Sequence, residues 1–194
     1  MIRTFRSHQS GTRVFCVARV LLATMLCLLG ATASAQTRSA DENQVKAAFL
    51  LNFGKFVEWP ATAFADPTGL FRICVSGATD VANALGVLTI GQKLNGRAIS
   101  VMLIDHHQPL KQCHMLFIGN VPVKERKSLL AEAKGTNAFT VAEEKDLVDD
   151  GSMLNLVNTD NRLSFEINQQ LAEEAGLKIS SRLLSLAKVV RGRR

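Results

Sequence analysis

Val45, Phe49, Phe53 and the Phe56-Val57 pair recur at steps of three and four, with Lys46, Asn52, Lys55 and Glu58 on the other faces. This spacing predicts an amphipathic helix whose apolar side carries three phenylalanines. Asp41, with Gln44 three residues on, predicts an N-cap and capping box. Trp59-Pro60 predicts the stop, because a residue before proline is pushed out of the helical region. No other helical stretch holds so many large aromatics. The core is therefore expected to form against this helix, and the alternative is that its aromatics line a ligand or partner groove.

Beyond Pro60 the pattern shortens. A loop over Ala61 to Leu70 leads to a strand, Phe71 to Ser76, ended by Gly77. Thr79 or Asp80 can cap a helix from Val81 to about Leu88. Asn95-Gly96 marks a turn, Ile99 to Ile104 an apolar strand, and Asp105 to Gln112 a polar connection. Met115 to Ile118 is continuously apolar, as a parallel strand buried on both faces should be. Pro122 opens a helix to about Lys134, with Leu129, Leu130 and Ala133 inward and Gly135 as its C-cap. Ala138 to Val141 is a further short strand.

Alternating strands and helices argue for a parallel sheet. The pattern then changes: Met153 to Val157 and Arg162 to Ile167, joined by Asn158 to Asn161, read as an antiparallel hairpin at the sheet edge. Asn168 caps a helix ended by Gly176. Ser180 or Ser181 caps a last one, Arg182 to Val190, with Leu183, Leu186, Ala187 and Val190 on one side. The expected fold is a single α/β domain: a mixed sheet with a largely parallel centre, flanking helices and an antiparallel C-terminal edge hairpin.

The first residues change how composition is read. Arg3, Arg6, Arg13 and Arg19 precede an apolar run, Val20 to Leu29, and Ala33-Ser34-Ala35 is a small-x-small site. This is the pattern of an export signal over residues 1–35, leaving 36–194 as the domain. The run is short for a membrane anchor. Four of the 23 basic residues lie in that leader, so the remainder carries 19 against 17 acidic ones. The high overall pI is then no argument for nucleic acid. Two of the four cysteines, Cys16 and Cys27, also lie in the leader. Cys74 and Cys113 remain, an even number in an oxidising context; one disulfide is the first expectation and two free buried thiols the alternative.

Candidate chemistry is sparse. Ser76-Gly77-Ala78 joins a strand to a helix but lacks the further glycines or lysine of a phosphate loop. There is no G-x-S-x-G elbow, H-E-x-x-H or C-x-x-C. Asp105, His106, His107, Cys113 and His114 form the richest metal-like cluster. Adjacent residues on a strand point to opposite faces, so neighbouring pairs converge poorly on one ion. No catalytic, metal or cofactor-binding residues are assigned. Arg162 and Glu166, four apart on one strand, share the face opposite Leu163, Phe165 and Ile167. They are candidates for a partner surface, with a solvated strand face as the plainer reading. Lys178 and Arg182 join them as charges flanking the apolar stripe of Leu177 to Val190.

Several ordered blocks carry a family resemblance. K-A-A-F-L-L-N-F-G-K-F-V-E-W-P from Lys46 to Pro60 resembles the opening signature of the YfiR-like family. F-R-I-C-V-S-G, L-N-G-R and C-H-M-L-F-I-G resemble its middle blocks, and the stretch from Arg162 to Val190 is similar to its C-terminal block. The resemblance spans about residues 41 to 190. It implies that Cys74 and Cys113 pair, and that Glu166 matches a carboxylate of the functional surface. Some members hold a further cysteine pair late in the chain; Asp146 to Asn155 has none. The implied function is a periplasmic inhibitor, not an enzyme, that binds the periplasmic sensor region of an inner-membrane GGDEF diguanylate cyclase. It would thereby lower cyclic-di-GMP and biofilm formation. The partners expected are that cyclase, an outer-membrane antagonist and a second copy of the chain, with no nucleic acid and no cofactor. A periplasmic small-molecule-binding sensor is the alternative function.

Overall fold

The structure, a computed structural model, describes residues 31–64, 69–105, 109–143, 151–159 and 162–192, with side chains from residue 42 onward. The chain divides into two units, residues 1–42 and 43–194. Within the first, the described part is helical backbone from Ala31.

The helix α1 runs Ala31–Phe56, so Asp41 lies inside it and does not cap its start. No glycine or proline between Ala31 and Phe53 interrupts the helix, and a lone aspartate is too weak a signal to do so. The stop falls three residues before Trp59, where Val57–Glu58 becomes a short strand, β1. The buried face is also rotated from the one the spacing predicts. Ala47, Leu50 and Phe53 are its centre, Phe49 and Phe56 are half-buried, and Val45 is 45% exposed. Lys46, expected outside, is buried and paired with Glu143. Close packing explains the rotation: a Cβ on Gly54 would stand 2.6 Å from Leu94 Cδ1, so this glycine side of α1 lies directly against its neighbour.

The remaining elements are β2 (Phe71–Ser76), α2 (Thr79–Leu88), β3 (Lys93–Leu94), β4 (Arg97–Leu103), β5 (Met115–Ile118), α3 (Val123–Ala133), β6 (Phe139–Glu143), β7 (Leu154–Thr159), β8 (Arg162–Asn168), α4 (Gln169–Glu174), β9 (Lys178–Ile179), α5 (Ser181–Leu186) and β10 (Val189–Arg191). The main sheet has the order β10-β8-β7-β6-β5-β2-β4-β3, and β1 and β9 form a separate antiparallel ribbon. Strands β4, β2, β5, β6 and β7 run parallel, while β3 and β8 pair antiparallel with β4 and β7. The mixed sheet with its parallel centre and C-terminal hairpin is the architecture the pattern predicts.

Alternation within the strands divides the core into two layers. Phe71, Ile73, Val75, Phe117, Val141, Leu156 and Phe165 face α1 and α2. Cys74, Leu116 and Ile118 face Leu129, Leu130 and Ala133 of α3. Asn95 (φ 50°) and Gly96 (φ 76°) make the tight turn between β3 and β4, the positive-φ geometry that favours these residue types. Asn168 Oδ1 accepts from the Leu171 N–H and Ser180 Oγ from the Leu183 N–H, so both predicted C-terminal caps form. Thr79 is instead already helical, α2 having Ala78 at its cap, and Gly135 follows α3 without positive φ.

One C-terminal element differs. The last helix spans only Ser181–Leu186, and Ala187 is extended. Val189–Arg191 then adds to the sheet as β10, parallel to β8 at Glu166–Asn168. Helical spacing of Leu183, Leu186 and Val190 concealed this. The β-branched pair Val189-Val190 is the local signal for a strand, and the free edge of β8 supplies the pairing.

Candidate partner-binding surface

In parallel-centred sheets, ligands bind beyond the carboxyl ends of the strands, where neighbouring connections leave in opposite directions. Here that point lies between β2, whose connection leads to β4, and β5 on its other side. The protein's own backbone fills it. Gly119 N–H donates to the Ser76 carbonyl at 2.9 Å, and Asn120 N–H to the Gly77 carbonyl at 3.1 Å. A Cβ on Gly119 would lie 2.7 Å from Ala78 Cβ and 2.9 Å from the Gly77 oxygen. The two loops are thus hydrogen-bonded to each other just beyond the strand ends, with no room for a side chain at position 119.

At the opposite end of β2 and β5 lies a packed aromatic group. Trp59 Nε1 donates to the His114 carbonyl at 2.9 Å, and His114 Nδ1 accepts from the Arg72 N–H at 3.0 Å. The imidazole stacks on Phe64 and Phe71, with centroids 4.6 and 5.2 Å away. The Arg97 guanidinium lies 4.0 Å over the Phe64 ring. Burial, then the Arg72 charge, lowers the His114 pKa to about 4, with Arg97 acting in the same direction and a hydrogen bond to Ala63 opposing them. His114 is thus a neutral structural imidazole whose Nδ1 lone pair is already engaged.

The other members of the metal-like cluster do not gather around it. Cys113 is joined to Cys74 in a disulfide with Cα atoms 5.7 Å apart. His106 and His107 lie outside the described residues, among which no group of three or more His, Cys, Asp or Glu is assembled for a metal.

The aromatics of α1 serve packing. Phe53 lies 5.1 Å from Phe165 and Phe49 6.2 Å from it, all edge-to-face within the main core layer. A cleft of about 170 Å³ does exist, but it is lined by Leu130, Ala133, Met153 and Leu171 among others, none of them from α1.

The four charged candidates separate into two pairs. Arg162 and Glu166 project from the face of β8 opposite Phe165, with Arg162 exposed and Glu166 half-buried. Glu166 sits between Asn155 of β7 and Val189 of β10. Lys178 faces Glu58 across the β1–β9 ribbon, and the Arg182 guanidinium lies 5.7 Å from the Phe56 ring, so this pair gathers at the carboxyl end of α1. The outer edge of β8 is covered from Glu166 to Asn168 by β10, and Lys188 N–H donates to the Phe165 carbonyl at 2.9 Å. Arg162 to Ser164 have no outer strand among the described residues. Of the apolar stripe read over Leu177 to Val190, Leu183 is buried while Leu186 (64%), Val189 and Val190 are exposed, flanked by exposed Arg182, Lys188 and Arg191; the helical reading did not foresee that Val189 and Val190 stand on a strand.

The sheet is stapled by a disulfide and carries, at one edge, exposed apolar residues rimmed by charge, the arrangement typical of a protein interface. Residues 43–188 match the family described as DUF4154, YfiR/HmsC-like. The chain belongs to that family, whose members are periplasmic.

Among solved structures, the chain is similar at 10% identity and TM-score 0.45 to the ABC domain from Streptococcus pneumonia in complex with L-Trp, covering 66% of this chain and 57% of that one. A conserved domain protein from Vibrio cholerae matches at 10% identity and TM-score 0.45, covering 63% and 55%. The chain spans less than two thirds of the length of either structure.

Proposed function

We propose that this chain is a non-catalytic regulator that acts as an inhibitor: it binds the periplasmic sensor region of an inner-membrane GGDEF diguanylate cyclase and lowers cyclic-di-GMP and biofilm formation. The observation that carries the reading is the C-terminal edge, where Leu186, Val189 and Val190 are exposed beside Arg182, Lys188 and Arg191. Arg162 and Glu166 extend that surface across β8, and Lys178 with Arg182 extends it toward α1. Export follows from a leader over residues 1–35, and an outer-membrane protein that competes for the same surface would relieve inhibition.

Glu166→Lys tests the surface. Protein from the periplasm is titrated against the isolated periplasmic region of the cyclase, and cyclic-di-GMP is measured in cells. Weakened binding and raised cyclic-di-GMP with unchanged melting are expected. Full repression by Glu166→Lys, Arg182→Glu and Val190→Asp variants that all fold normally would place the partner elsewhere.

A further inference from the structure

The turn between β3 and β4 holds a reactive pair that its role in the fold does not use. Asn95 is the only asparagine in the chain that is followed by glycine. Both residues are exposed, and nothing stands within 4 Å of the place a Cβ would take on Gly96. The Asn95 carboxamide makes no hydrogen bond to a described residue, and the Gly96 N–H donates to no backbone carbonyl among them. An asparagine Cγ can be attacked by the nitrogen of the next residue, and glycine brings no side chain to hinder the attack. All the groups the reaction needs are therefore present, unengaged and open to water.

We propose that Asn95 is a site of spontaneous deamidation, with water as the reactant, and that its product unseats β3. The Gly96 amide, after losing its proton to hydroxide, attacks Asn95 Cγ. The new N–Cγ bond forms, the Cγ–Nδ2 bond breaks, and the nitrogen leaves as ammonia once it has taken up a proton. Water then opens the succinimide ring. Cleavage of the N–Cγ bond gives aspartate. Cleavage of the bond from the ring nitrogen to the backbone carbonyl carbon gives isoaspartate, in which the chain runs through Cβ and Cγ. Attack requires the peptide unit to rotate out of the turn. The fold permits this, because β3 has two residues at the sheet edge and its local opening leaves the other strands paired.

The neighbours decide what the product does. Leu94 is 2% exposed and packs against Gly54 of α1, while Leu94 and Arg97 pair across the turn. Aspartate keeps the spacing between them and tolerates φ 50°. Isoaspartate adds a methylene to the backbone, so the pair loses its register and Leu94 is drawn from its place against α1. Arg97 Nη1 also donates to the Gly69 carbonyl at 3.2 Å, and its guanidinium lies over Phe64, so the disturbance extends to the segment before β2. All of this lies at the other end of the strand order from the proposed cyclase-binding edge.

Incubation of protein purified from the periplasm tests the proposal, at physiological temperature and at neutral and mildly alkaline pH. Peptide mapping by mass spectrometry and enzymatic isoaspartate labelling follow Asn95, with a synthetic peptide from Gln92 to Ile99 held beside it as the unfolded reference. Conversion at Asn95 is expected, faster at the higher pH, with isoaspartate the larger product. The denaturant midpoint should fall in step with the isoaspartate fraction. Asn95→Asp should begin at the wild-type midpoint, since it has the charge without the extra backbone atom. Asn95→Gly keeps the positive φ and has no carboxamide, so its midpoint should hold through the incubation. An Asn95 that stays intact in the folded protein while the peptide is fully converted overturns the proposal. So does an unchanged midpoint in protein that carries mostly isoaspartate, or an equal loss by Asn95→Gly.

Discussion

The two ends of the sheet handle the same problem in different ways. At the C-terminal end, β8 is shielded along half its length by three residues of β10, and basic side chains surround the exposed valines. Short edge strands and charge are common means of preventing unwanted pairing. At the other end, β4 leaves its last residues up to Leu103 unpaired among the described residues, beside a groove lined by Val87 and Ile90. The guarded edge suits a partner that reads charge. The difference is one reason to prefer the charged edge for the proposed cyclase contact.

The centre of the sheet holds both edges in place, so the largest effects should come from loosening it and should not discriminate between them. The Cys74–Cys113 bridge links β2 to the segment entering β5, across a sequence separation of 39. Chain entropy gives such a bridge ~4 kcal/mol. Cys74→Ser and Cys113→Ser should therefore lower stability to a similar extent, read as the denaturant midpoint. Unfolded, unreduced wild-type protein should take up no thiol label at these positions, and labelling of both would remove the bridge from the account.

Phe53→Ala should cost about 3–5 kcal/mol, because a buried ring is lost from contact with Phe49 and Phe165. Cyclase binding should fall with it as the population unfolds. An unchanged melting temperature with selective loss of ligand or partner binding would restore α1 as a binding element.

Acid should act next, through the end of β2 where His114 stacks. The unfolded imidazole titrates near its ordinary value of 6.5 and the folded one near 4, so the unfolded state binds the extra proton between those values. Stability from this residue is fully present above about pH 6.5 and is lost as the pH falls toward 4. Denaturation midpoints at several pH values in wild type and His114→Gln should show a shallower acid decline in the variant. Parallel profiles would mean that other groups set the acid limit.

The smallest effect on stability falls on the charged edge and sharpens the comparison most. Arg162→Glu, at an exposed position of β8, is expected within about 0.5 kcal/mol of wild-type stability. It should weaken binding to the isolated periplasmic region of the cyclase, read by titration. Undiminished binding by the folded variant would move that contact off this part of the edge.

Local rules were enough to determine much of this protein from its sequence. The strands read over Phe71–Ser76 and Met115–Ile118 match β2 and β5 residue for residue, and β5 is continuously apolar because a parallel strand buried on both faces must be. Asn95-Gly96, Asn168 and Ser180 act as a turn and two caps, since each satisfies or bends backbone within a few residues of itself. The ordered blocks were sufficient to indicate the family. Tertiary structure decided what depends on distant neighbours. The buried side of α1 centred on Ala47, Leu50 and Phe53 because Gly54 meets Leu94, forty positions on in the chain. Val189-Val190 left the helical pattern because β8 offered unpaired backbone. The β4 edge could not be read from its own residues either: Ile99 to Leu103 have the apolar pattern of an interior strand, and only the strand order shows that the sheet ends there. A strand's sequence records what its side chains touch, but its backbone neighbours are chosen by hydrogen bonds that are alike for every residue.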